Sequence, residues 1–131
     1  MAKILKTVAS GLALGGLVSF LSVPGLADGP QAIATAAQHA GLAANSGDID
    51  GVHRHLHHTL NCLVGPEGEG FDQSAGNPCQ AAGGAIPQTS DAELRMKLME
   101  IAGQVRSAIG NNDLAAAKEA ATAVQEMLAA G

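Results

Sequence analysis

The chain reads as an all-α protein: two antiparallel helical hairpins forming a four-helix bundle, with a long disulfide-stapled loop between helices two and three. Three observations predict this. Apolar residues recur at spacings of three and four in four separate stretches. Short Asn/Gly/Asp turns join those stretches in pairs. Beyond position 27 the only aromatic side chain among Phe, Trp and Tyr is Phe71. A core limited to Ala, Leu, Ile, Val and Met suits close-packed helices.

The first 27 residues stand apart from this pattern. Met1 to Lys6 is short and basic, an apolar, glycine-containing stretch follows from Thr7 to about Val23, and Pro24-Gly25-Leu26-Ala27 precedes Asp28. Those are the parts of a secretory signal peptide, residues 1–27, with Gly25 and Ala27 as the small residues before cleavage. The alternative is an uncleaved membrane anchor, against which stand the short apolar core and its small-residue exit. The expected mature protein, residues 28–131, is a single helical domain, secreted or periplasmic, and free of the membrane after cleavage.

Charge narrows the partners. The chain has 7 basic and 12 acidic residues, a net −5 with neutral histidine. Losing Lys3 and Lys6 removes two of those seven and makes the balance −7. An acidic surface argues against nucleic acid and mildly favours cations. The scarcity of aromatics excludes base-stacking platforms and aromatic cages.

Helix one is expected to start at Pro30-Gln31, where proline lacks only a donor that would be orphaned there. Ile33, Ala36/Ala37, Ala40 and Ala43/Ala44 form its small-residue stripe, up to Asn45. Asn45-Ser46-Gly47-Asp48 is turn chemistry, with Asp48 as the N-cap of helix two. Ile49, Val52, Leu56, Leu60 and Leu63 line that helix, and Gly65-Pro66 stops it. Residues 28–64 thus form a first hairpin that carries all five histidines.

Residues 65–88 lose the pattern and read as an irregular Gly/Pro-rich loop, unusually long for a small domain. A Cys62–Cys79 disulfide and a buried Phe71 would keep it ordered. In an oxidising compartment the disulfide is the default, closing a loop worth roughly 3 kcal/mol on the chain-entropy model. Free thiols or soft metal ligands are the alternatives. Without CxxCH there is no haem c, and without CxxC no thioredoxin-type chemistry.

The second hairpin spans 89–131. Ser90-Asp91-Ala92-Glu93 has the form of a capping box. Leu94, Leu98, Ile101, Val105 and Ile109 line helix three, Gly110 to Asp113 makes a turn, and Leu114, Ala117, Ala121, Val124 and Leu128 line helix four. Met96 and Met99 lie opposite the helix-three stripe. Thioethers favour Cu(I), but packing against another helix, a protein partner or a second copy is the simpler role.

The chemistry concentrates in Val52 to Cys62, where four histidines fall within six residues. Imidazoles are costly to bury without partners and are the commonest ligands of zinc and copper. At about 100° per residue, His53 and His57 are i,i+4 neighbours along one edge of the Leu56 face. His55 and His58 are i,i+3 neighbours on the far side, one turn below Cys62. His53 and His57 are the favoured pair, the spacing of HxxxH sites. Folding the hairpin brings His39 level with Arg54, so His39, His53 and His57 are the expected three-histidine set, with Zn(II) or Cu(II) as the ion. Alternatively the histidines are solvated or hydrogen-bond the returning loop, His55 and His58 above all.

Glu67, Glu69, Asp72 and Asn77 offer oxygen donors without calcium-loop spacing. No nucleophile elbow or Ser/His/Asp order appears, and nothing argues for an enzyme. The stretch from Ala37 through His39 to Asp48, followed by His53, His57 and His58, resembles the small histidine-rich metal-binding proteins of the bacterial periplasm. The likeness runs from about Ala34 to Asn61. It implies a short alanine-rich helical bundle that binds divalent metals such as copper. This chain has far fewer histidines than that family, and inserts a cysteine-bracketed loop. The expected function is therefore binding or buffering of one divalent transition metal, Cu or Zn. The alternative is a non-catalytic helical interaction module with incidental or pH-sensing histidines. A non-covalent haem is the weakest option, since large apolar side chains are lacking near the cluster.

Overall fold

Asp side chains open three of the helices, and glycines close two of those three. The computed structural model describes residues 28–131, so the expected signal peptide, residues 1–27, lies outside the described residues. Among the described residues there are five α-helices, one 3-10 turn (Gln73–Ala75) and no strand. The helices are α1 (Asp28–Ala44), α2 (Ile49–Val64), α3 (Ala85–Gln88), α4 (Ala92–Ile109) and α5 (Leu114–Ala129). None of them is long and apolar enough to cross a membrane.

Asp48 caps α2 by accepting the Gly51 N–H at 2.7 Å, as its position in the turn predicts. Asp113 does the same for α5 with the Ala116 N–H at 2.8 Å. At α4 the cap is Asp91, which accepts the Leu94 N–H at 2.7 Å, one residue beyond the expected Ser90. The carboxylate is the stronger acceptor and draws the helix start along by one residue.

The α1 stripe is made of alanine: Ala32, Ala36, Ala40 and Ala43 are all fully buried. Such small side chains let α1 approach its neighbours closely, and it packs on both α2 and α5, while α4 packs on the same two helices. α1 and α2 run antiparallel, because Ala36 meets Thr59 whereas His39, further along α1, meets His55, earlier on α2. Bulk comes from Leu56, Leu60 and Leu63 of α2, which share one core with Leu98, Ile101 and Val105 of α4 and Val124 of α5. Each such side chain contributes roughly 1.5–3 kcal/mol by leaving water.

The segment after α2 is more ordered than its composition suggests. It contains the 3-10 turn, capped by the Asp72 carboxylate on the Ser74 N–H, and the single helical turn α3. Phe71, expected to be buried, is only partly so and packs against the core margin. The anchoring falls instead to Asn61, which is completely buried. Its Nδ2 donates to the carbonyls of Asp72 (2.8 Å) and Gly76 (2.7 Å), and its Oδ1 accepts the Asp72 N–H (2.9 Å). Next to it, Cys62 and Cys79 form a disulfide with a Cα–Cα distance of 5.2 Å. Gly65 ends α2 with a φ of 73°, and its backbone touches Gly84 so closely that a Cβ there would lie 2.5 Å from the Gly65 nitrogen.

Candidate metal centre

The position of α1 decides which histidines meet. On α2 the buried residues include Thr59 and Cys62 as well as Val52 and the leucines. Val52, His55, Thr59 and Cys62 recur at spacings of three and four and form one column. That column faces α1: the Thr59 hydroxyl lies 3.3 Å from the Ala36 carbonyl, and Cys79, bonded to Cys62, has its Sγ 4.0 Å from the Ala32 carbonyl. The leucine stripe takes the volume at the centre of the core. The thin alanine face of α1 fits the flank where Thr59 and Cys62 leave room.

His39 of α1 therefore meets His55 and His58, not His53 and His57. Its Nδ1 lies 3.3 Å from the Nδ1 of His55 and 3.3 Å from the Nδ1 of His58. The three residues each present a ring nitrogen within 4.8 Å of the others, and all three are partly buried. His58 meets the other two rings edge-on, at 83° to His39 and 75° to His55, whereas His39 and His55 are tilted by 33°. Two nitrogens on a tetrahedral ion at about 2.0–2.1 Å are themselves about 3.3–3.4 Å apart.

The protons sharpen this arrangement. His58 Nε2 lies 2.7 Å from the Ala75 carbonyl, which can only accept, so Nε2 carries the hydrogen and a neutral His58 has a bare Nδ1. If His39 Nδ1 carries a hydrogen, it must share it between His55 and His58. If it does not, its lone pair opposes that of His58. No neutral assignment gives both 3.3 Å contacts their own proton, whereas a cation would engage all three lone pairs. Burial pushes the His39 pKa down from 6.5 to about 4, helped by the charges of His58 and His55. Burial, then His58 and Arg54, also lowers His55. Both rings are thus kept neutral, the form that ligates metals. The His58–Ala75 bond is the kind of outer contact that orients a ligating imidazole.

The favoured sequence pair is placed elsewhere. His53 Nε2 donates to the Asn111 carbonyl at 2.8 Å and tethers α2 to the turn after α4. His57 Nδ1 lies 3.8 Å from an Asp72 carboxylate oxygen and has no hydrogen-bond partner in the protein. Only His39 of the expected His39/His53/His57 set is in the cluster. The loop-bonding alternative for His58 is realised, but on Nε2, which leaves Nδ1 to the cluster. No motif in the sequence singles out Asn61, Thr59 or the Ala75 carbonyl, which surround the cluster. The available signal was a polar Asn61 between Leu60 and Cys62 at the apolar end of a helix.

Met96 is 71% and Met99 55% exposed, consistent with their place opposite the α4 stripe. Comparison with protein-family models, curated proteins and solved structures finds no match.

Proposed function

We propose that this protein binds a divalent transition metal through His39, His55 and His58, and acts in binding or buffering rather than catalysis. The carrying observation is the convergence of three imidazoles, with two Nδ1–Nδ1 separations of 3.3 Å that no neutral assignment of protons satisfies together. The two separations at His39 match those across a tetrahedral ion, the geometry of Zn(II), whereas Cu(II) prefers tetragonal sites. A water or other small ligand would complete the coordination. The reading also takes the chain as an exported protein cleaved after Ala27, its helices as a four-helix bundle of two hairpins, and its kin as the small histidine-rich periplasmic proteins.

Calorimetric titration of the purified protein with Zn(II) and Cu(II) tests the reading. One ion should bind per chain, His39→Ala should abolish tight binding, and a His53→Ala/His57→Ala double variant should keep it. Retention in the first variant and loss in the second would return the site to the pair favoured by spacing. A second reading, a helical interaction module docking a partner or another copy through Met96 and Met99, draws on the exposure of those side chains. Size measurement of the wild type against Met96→Glu/Met99→Glu tests it.

A further inference from the structure

We infer that formation of the Cys62–Cys79 disulfide arms the three-histidine site, with Asn61 as the positioning residue that carries its effect to His58. This rests on the metal-binding reading above. One turn of α2 supplies every part. His58, Asn61 and Cys62 project toward the same strap, residues 72–79, and each holds it at a different point. Cys62 bonds Cys79 covalently. Asn61 clamps Asp72 and Gly76 through three hydrogen bonds of 2.7–2.9 Å. His58 in turn takes its orientation from the strap, through Nε2–H to the Ala75 carbonyl, which lies between the two clamped segments.

The direction of control follows from chain entropy. With the disulfide closed, the strap is tied at both ends of the Asp72–Cys79 segment and Ala75 has little room to move. With it open, the strap is held by Asn61 and its own short 3-10 turn, and the Asn77-Pro78-Cys79 end beyond Gly76 loses its covalent tie to α2. His58 would then sample other ring orientations, and its Nδ1 would face the cluster only part of the time. A ligand poised for a fraction of the time lowers the apparent affinity by that fraction. Loss of outer contacts to a ligating histidine typically weakens metal binding 10–100-fold.

The chemical step is ordinary thiol–disulfide exchange. The two thiols release two protons and two electrons to a disulfide oxidant, a protein or small-molecule disulfide, which becomes two thiols as the Cys62–Cys79 bond forms. Metal capture by the three histidines is then ordered after oxidation, so in a freshly made, reduced chain those imidazoles would not hold the ion tightly.

Zinc affinity measured by competition with a chromophoric chelator tests this in the full chain. The oxidised protein, the Cys62→Ser/Cys79→Ser variant, and an Asn61→Ala variant that keeps its disulfide are compared, each with His58 intact and again carrying His58→Ala. Serine replaces the thiols so that thiolates cannot bind zinc themselves. Both strap variants should bind 10–100-fold more weakly than the oxidised protein. In the His58→Ala background the strap changes should have no effect on the residual affinity, a coupling that a general loss of stability would not produce. Should the serine variant lose its helical signal, the Asn61→Ala comparison decides. Equal affinity in oxidised and strap-released proteins overturns the inference and leaves the metal site standing. Absence of zinc binding to the oxidised protein overturns the metal reading itself.

Discussion

Replacing His39 with alanine should separate the stability of the zinc-free fold from the stability that metal adds. His39 Nδ1 has two 3.3 Å contacts and one proton between them, so its hydrogen bonding amounts to about 0.5–1 kcal/mol. Alanine is the better helix former by about 0.5 kcal/mol, and His39 is in the interior of α1. The two effects nearly cancel, leaving the zinc-free variant within about 1 kcal/mol of wild type. Zinc at one hundred times its dissociation constant adds about 2.7 kcal/mol to a protein that binds it only when folded. For a domain of about 100 residues that raises Tm by about 10–20 °C. Thermal melts followed by circular dichroism, with zinc set from the measured wild-type affinity, should show that rise in wild type and not in His39→Ala. If the variant keeps most of the rise, the three imidazoles do not share an ion. If it unfolds without zinc, the proton accounting at the cluster is wrong.

Acid should weaken the zinc-free fold through His39. Its pKa falls from 6.5 to about 4 on folding, so the unfolded chain binds the proton more readily between those values. Stability from this residue is intact above about pH 6.5, declines as pH drops toward about 4, and changes no further below; urea midpoints should fall less steeply across that window in His39→Ala. Parallel curves would refute this. Gly84→Ala pushes a Cβ to within 2.5 Å of the Gly65 nitrogen, backbone against backbone, and should cost about 2–3 kcal/mol in urea unfolding. A neutral result would show that the two segments separate easily. His53→Ala removes the bond to the Asn111 carbonyl and should cost about 1 kcal/mol while leaving zinc affinity unchanged. A fall in affinity would place His53 among the ligands.

Much of the local architecture was legible. Asp48 and Asp113 sit where turn chemistry put them, and Gly65 ends α2 as its backbone freedom allows. Leu98, Ile101 and Val105 of the α4 stripe are buried, as are Ala117, Ala121, Val124 and Leu128 of α5. Leu94 and Ile109, near the two ends of α4, are partly buried, and Leu114, which begins α5 at the edge of the core, is 37% exposed. Spacing also paired the histidines correctly along α2, as two sets on opposite flanks. It favours the pair that does not meet His39, because HxxxH spacing measures how two side chains relate to each other on one helix. It carries no information about which flank a second helix will cover.

From the amino acids alone follow the helices, their stops, the alanine face of α1 and the density of imidazole on α2, because periodicity, capping and backbone freedom act over a few residues. Packing decided the rest. The leucines claimed the centre, Thr59 and Cys62 made a shallow flank, and α1 settled there, bringing His39 to His55 and His58. The loop then crossed the outer side of α2 and set the proton on His58. Contacts between residues 16 to 19 positions apart depend on the relative rotation of two helices, which only the assembled core determines.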